Sequence, residues 1–261
     1  FIFLIKRNVM IKFSNAFYTI TLLFLLIFSC SNNNLVDQEV QTNIIEEQEQ
    51  EQEQEQEEET TNNTIKLLSL GDSYTIGQSV CNTCSFPIQL RDSLTSNIND
   101  RVFETDIIAQ TGWTTTNLIN AINNENPEFN YDLVTLLIGV NNQYQNLPFS
   151  IYEQEFPNLV NTAISLANNN PSNVIVISIP DYAFTPFGNG ESYISEELDE
   201  YNEFAENYCN ENNITYVYIT DITRMGLSNP ALVAIDNLHP STLAYSLFVE
   251  RLLPFAIEKI L

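Results

Sequence analysis

The chain has 261 residues, 34 of them acidic and nine basic, for a formal net charge of −25 at pH 7. So negative a surface repels phosphate backbones, which argues against nucleic acid as a partner, and charge alone will not hold the chain on an anionic membrane. The acidity is uneven: residues 31–63 carry 11 acidic groups and no basic one, whereas residues 64–261 carry 23 acidic and six basic, a formal −17.

Residues 1–30 are apolar, with only Lys6, Arg7 and Lys12 as charges. Met10 is a plausible start, and from it the chain reads as a secretion signal: Lys12, an apolar run from Ile20 to Phe28, then Ser29-Cys30. That run is well short of the ~20 apolar residues a spanning helix needs. Ile27-Phe28-Ser29-Cys30 resembles the bacterial lipobox, whose Cys becomes the lipidated first residue of the mature protein. The resemblance implies lipidation at Cys30 and an exported lipoprotein, membrane-anchored on the periplasmic face or cell surface. Residues 46–59 are almost pure Glu and Gln, which hydrate well and bury nothing, so 31–63 is expected to be a disordered acidic tether. Residues 64–261 remain, enough for one domain with a sizeable core.

In that domain, apolar runs bounded by turn residues predict five strands: Ile65–Leu70, Val102–Ala109, Leu133–Ile138, Val174–Ile179 and Ile214–Ile219. They are largely continuous in Val, Ile and Leu, as in parallel strands buried on both faces. Helical spacing of apolar residues falls between and after them, over Phe86–Ser96, Thr114–Asn124, Tyr152–Asn168, Glu196–Cys209 and Ser241–Ile260, the last carrying Pro254. The alternation predicts a three-layer α/β/α sandwich on a five-stranded parallel sheet.

In such sheets the ligand crevice lies beyond the carboxyl ends of the strands. Polar residues stand there: Gly71-Asp72-Ser73, Gln110-Thr111-Gly112, Gly139-Val140-Asn141 and Asp181. A Ser just after the first strand and leading into a helical turn presents its hydroxyl at that edge, near a positive helix end. The ordinary alternative is an N-cap Ser, and the tripeptide alone favours that alternative. His239, the sole His, changes the balance. It lies in Asp236-Asn237-Leu238-His239-Pro240, just before the last helix. An Asp three residues ahead of a His can hold Nδ1–H across one turn and leave Nε2 as a base for a serine. Acyl transfer also needs donors for an oxyanion: Gly112 can present an unobstructed backbone N–H, and Asn141 a side-chain amide.

Together these blocks resemble the SGNH (GDSL-type) hydrolases, in the family's block order and over essentially all of 65–261. The resemblance implies a flavodoxin-like α/β/α fold and a serine esterase. Ser73 would be the nucleophile, His239 the base and Asp236 its orienter. The Ser73 N–H, Gly112 N–H and Asn141 amide would form the oxyanion hole. No metal or organic cofactor is implied. One block departs from the family pattern, since Asn142 stands where an Asp is usual. Thr75 stands where the second Gly of Gly-x-Ser-x-Gly would be, which argues against the α/β-hydrolase elbow.

The Cys81-Asn-Thr-Cys84 spacing fits a small disulfide loop in an oxidising compartment, leaving Cys209 unpaired. A redox pair is the alternative, although the motif does not open a helix directly after a strand. Trp113 and the stretch Tyr182–Phe187 can wall an acyl or sugar pocket or simply pack. The expected partner is a small ester, or an acylated glycan or lipid, cleaved as by an acylesterase, carbohydrate deacetylase or lysophospholipase. The rival from another class is a non-catalytic cell-surface protein binding glycan in the same crevice.

Overall fold

A computed structural model describes residues 63–261. The expected signal segment, with Cys30, and the expected tether through residue 62 lie outside the described residues. Asn63, the last tether residue by sequence, already accepts the Val102 N–H through its carbonyl at 2.9 Å.

Five strands form one parallel sheet: β1 (Thr64–Gly71), β2 (Val102–Ala109), β3 (Leu133–Leu137), β4 (Val174–Ile177) and β5 (Thr215–Val217), in the order β2-β1-β3-β4-β5. All of β3 and β4 and most of β1 are buried, as their unbroken Val, Ile and Leu runs require. β2 departs from that expectation. It lies at an edge, pairs only with β1, and alternates exposed and covered residues such as Val102 and Phe103.

The connections are α1 (Ser73–Ile76), α2 (Phe86–Asn97), α3 (Thr115–Glu125), α4 (Val140–Tyr144), α5 (Phe149–Leu166), α6 (Ser192–Glu211), α7 (Thr220–Thr223) and α8 (Thr242–Ile260). α2 packs on α8; α3 packs on α5, which in turn meets α6. With the sheet between these two groups, the architecture is the expected α/β/α sandwich. α8 runs on through Pro254. Among the described residues, no helix is long and apolar enough to cross a membrane.

β4 and β5 end two residues earlier than their apolar runs suggest. The Ser178 hydroxyl accepts the Ile219 and Thr220 N–H groups at 2.7 and 3.1 Å, and the Asn202 amide brackets the Ile179 peptide at 2.7 and 3.2 Å. Side chains thereby replace ladder bonds, and the chain turns off the sheet with its buried backbone still satisfied.

Candidate active site

The turn out of β1 sets the position of Ser73. A Cβ on Gly71 would lie 2.1 Å from Thr75 Oγ1 and 2.4 Å from the Leu137 carbonyl, so only glycine permits this approach. Asp72 then caps α1. Its Oδ1 accepts the Tyr74 N–H at 3.0 Å, and its carbonyl accepts those of Thr75 and Ile76. The N-cap is therefore Asp72, and Ser73 is the first helical residue. The Ser73 hydroxyl is nearly buried and has no hydrogen-bond partner among the described residues, so the capping explanation does not account for it.

Asp72 pays a cost for this position. It is fully buried, its Oδ2 has no partner, and burial pushes its carboxyl up to about 7 against the pull of the Tyr74 N–H. Thr75 Oγ1 and the Tyr245 hydroxyl are likewise buried and unpartnered.

The His239 loop is tied to the end of the short 3₁₀ turn Pro230–Leu232 by an isolated bridge between Val233 and Pro240, and Ala234 N–H donates to the His239 carbonyl at 2.7 Å. Within it Asp236 Oδ2 meets His239 Nδ1 at 2.5 Å, and Oδ1 accepts the Leu238 and His239 N–H groups at 3.0 Å each. A further donor, absent from the sequence reading, is Ser79, whose hydroxyl reaches Asp236 Oδ2 at 2.6 Å. Partial burial raises the Asp236 pKa, but the bonds from Ser79, His239 and the two backbone N–H groups outweigh it and hold the carboxyl well below the usual range. An ionised carboxylate only accepts, so Nδ1–H is the donor of this bond and Nε2 is the ring nitrogen left to act as a base.

Two contacts join the Ser73 and His239 segments. The Tyr74 ring meets the His239 ring edge-on at 5.7 Å between centroids, and Ser79 bonds to Asp236. Ser73 and His239 themselves share no hydrogen bond, as is common before substrate binds.

Gly112 and Asn141 come from the neighbouring strand ends. Gly112 has φ +86°, open to glycine, with empty space where a Cβ would point. Asn141 sits in the first turn of α4 rather than in a loop, and its Nδ2 donates to the Trp113 carbonyl at 2.9 Å. Gln145, the residue that ends α4, donates through Nε2 to the Gly112 carbonyl at 3.0 Å, so one amide from α4 and one from its C-cap hold the turn that carries Gly112. Asn142 is fully buried. Its Oδ1 accepts the Thr115 N–H at 3.0 Å, its Nδ2 donates to Thr115 Oγ1 at 2.7 Å, and that hydroxyl donates to Glu155 at 2.5 Å. The amide at this position thus sits between a backbone donor and a hydroxyl already committed to a carboxylate.

The profile of the GDSL-like lipase/acylhydrolase family matches residues 69–247. The chain belongs to this family. It is accordingly an ester hydrolase at that level of description. No curated protein matches the sequence. Among solved structures, an acetyl xylan esterase from Geobacillus stearothermophilus is similar at 18% identity and TM-score 0.58, over 74% of this chain and 94% of that one. A lipase from a goat rumen metagenome is similar at 14% and 0.60, over 73% and 97%. A lipase/acylhydrolase from Enterococcus faecalis is similar at 19% and 0.56, over 75% and 95%. At such identities the likeness concerns the fold.

Other residues singled out in the sequence of this GDSL-family hydrolase separate into two groups. Asp181 is structural: its buried carboxylate accepts Arg224 Nε at 2.9 Å, the Ser195 hydroxyl at 2.7 Å and the Ala183 N–H at 2.9 Å. Trp113 is half-buried against the core. Tyr182, by contrast, lines both a shallow hollow beside Tyr74 and His239 and a larger cleft next to it. Cys81 and Cys84 are joined as a disulfide in the loop after Ser79, and Cys209 is free and buried, its thiol pushed up to about 12 by burial. Among the described residues no cluster of His, Cys, Asp and Glu is disposed to hold a metal. Ser79, Gln145 and Glu155 were missed because Ser, Gln and Glu in a polar loop or on a helix carry no spacing signal. Only their partners, distant in sequence, give them roles.

Proposed function

We propose that this hydrolase cleaves carboxylic esters by a two-step acyl-enzyme route with Ser73 as nucleophile. Ser73 Oγ attacks the ester carbonyl while its proton passes to His239 Nε2, and the Ser73 N–H, Gly112 N–H and Asn141 amide receive the oxyanion. The tetrahedral adduct collapses, the alcohol leaves with the proton from His239, and Ser73 is acylated. Water then attacks the acyl carbonyl and gives its proton to His239, which returns it to Ser73 Oγ as the acyl–Oγ bond breaks and the acid departs.

The observation that carries this reading is the 2.5 Å pairing of His239 Nδ1 with a carboxylate held ionised by four donors, on a ring that meets Tyr74, the residue after the uncommitted Ser73 hydroxyl. The purified full chain should hydrolyse p-nitrophenyl acetate, and Ser73→Ala should lower kcat by about a thousandfold or more. Equal turnover by both proteins would remove Ser73 from the chemistry.

Export and attachment through Cys30 belong to the same proposal and rest on the signal-like N-terminus. Cys30→Ser should move the protein from the membrane to the soluble fraction, whereas unchanged fractionation would count against lipidation.

A further inference from the structure

Beside the hollow at His239 lies a cleft of about 300 Å³, at the small end of the ~300–1,000 Å³ of small-molecule sites. Three large rings open onto it although they are half-exposed: Tyr144 at 53%, Phe187 at 50% and Tyr193 at 53%. Tyr144 touches both Tyr182 and Phe187, at 6.0 and 6.1 Å between centroids, so these three rings form a wall, with Tyr193 also lining the cleft. Grouped exposed aromatics of this kind mark a binding surface more often than chance. Between them stand the side chains of Asn146, Asn189 and Glu191, none with a hydrogen-bond partner among the described residues.

The wall is built in advance. Phe187 N–H donates to the Asn237 carbonyl at 3.0 Å, Gly188 N–H to Thr185 Oγ1 at 3.1 Å, Asn189 N–H to the Thr185 carbonyl at 2.8 Å and Gly190 N–H to that of Ala183 at 2.8 Å. Little ordering is therefore left to oppose binding. The same bonds fix its place. Asn237 lies between Asp236 and His239, and Tyr144 is on α4, one turn beyond Asn141. One side of the cleft thus comes from the helix that carries a proposed oxyanion donor, and another is hydrogen-bonded to the segment that carries the proposed base.

Its chemistry selects among occupants. Neither Lys nor Arg lines it, Glu191 does, and the domain around it is strongly acidic, so an anionic ligand is repelled. A hydrocarbon chain would strip water from two amides and a carboxylate without replacing their hydrogen bonds. A neutral sugar suits both features, with C–H faces to lie on the rings and hydroxyls to meet the amides and carboxylate. We propose that this cleft is a glycosyl subsite, holding a sugar ring of an uncharged, acylated glycan whose ester lies at Ser73. The proposal rests on the esterase reading for its second half, and the cleft's sugar binding can be tested apart from it.

The test is calorimetric titration of the full-length Ser73→Ala protein, which will not turn over, with neutral hexasaccharides of xylose, glucose, mannose and N-acetylglucosamine, hexagalacturonate and a lauroyl lysophospholipid. At least one neutral hexasaccharide should bind, and hexagalacturonate and the lysophospholipid should not. Adding Phe187→Ala or Tyr193→Ala should weaken that binding about tenfold each, while Tyr193→Phe should keep it, with thermal melts confirming that every variant is folded. No neutral binding, binding indifferent to both ring deletions, or lysophospholipid binding lost with them would overturn the subsite. The esterase reading has its own readout in p-nitrophenyl acetate turnover by the protein with Ser73 intact. Loss of one result leaves the other standing.

Discussion

Two carboxylates flank the proposed nucleophile, and they have opposite surroundings. Asp72, the residue before Ser73, is fully buried with one oxygen hydrogen-bonded to a backbone N–H and the other without a partner, and its pKa rises to about 7. Asp236 is partly buried, receives four donors, and is held below the usual range. Burial raises both; the number of donors decides which remains a carboxylate at neutral pH. Asp236 is thereby fitted to orient an imidazole, and Asp72 to cap a helix. The same contrast is a general way of finding acid–base roles from paired environments.

The largest break in this comparison is Asp236→Asn. An amide can keep one hydrogen bond to His239 but can turn its NH₂ toward Nδ1 and favour the wrong tautomer, so kcat on p-nitrophenyl acetate should fall by about 10³–10⁴. A loss below about tenfold would show that the carboxylate does not orient the base.

Asp72→Asn tests the other side and should change stability. With a folded pKa near 7 against the ordinary 3.8, the native state binds more protons than the unfolded chain between those values. Stability contributed here is therefore full below about pH 4 and lost as pH rises through about 7, a penalty on the order of 4 kcal/mol. Asn removes that penalty, so urea unfolding should find the variant more stable than the parent at pH 8 and equal at pH 4. A difference that does not vary with pH would mean that Asp72 is not the buried titrating group.

Ser79→Ala removes one of the four donors to Asp236 and should cost about 1.5–3 kcal/mol of support for the charged form, as hydrogen bonds to charged groups do. The expected result is a kcat lowered about tenfold with KM little changed, and an acidic limb of the pH–rate profile displaced from that of the parent. Ser79→Thr, which keeps the hydroxyl, should restore part of both. An unaltered pH profile in Ser79→Ala would confine Ser79 to holding the loop.

Much of the fold was legible because buried parallel strands leave continuous Val, Ile and Leu runs: β2 was bounded to the residue, and the other strands to within two. What was not legible came from side chains bonding to distant backbone. Ser178 and Asn202 cut β4 and β5 short, and no local pattern announces such pairings. The candidate site divides in the same way. Ser73, Gly112, Asn141 and His239 stand at strand ends or before the last helix, where topology singles them out. Ser79 and Asn142 acquire meaning only through partners 157 and 27 residues away.

Asn142 supplies the smallest test and a third point for the comparison. It occupies the position where the family pattern usually has an Asp, it is as buried as Asp72, and its amide satisfies both Thr115 groups while Glu155 holds the neighbouring charge. Asn142→Asp would put a second carboxylate beside that arrangement. It would keep one firm donor, the Thr115 N–H, and would compete with Glu155 for the Thr115 hydroxyl. The new carboxyl should therefore behave like Asp72, with a raised folded pKa, and stability should be intact in acid and lost as pH rises through that value. A penalty of about 1 kcal/mol at pH 8, absent at pH 4 and relieved by adding Glu155→Gln, is the expected outcome by urea unfolding. Relief by Glu155→Gln is the decisive arm. Without it, the amide at 142 would be an indifferent replacement rather than one matched to Glu155.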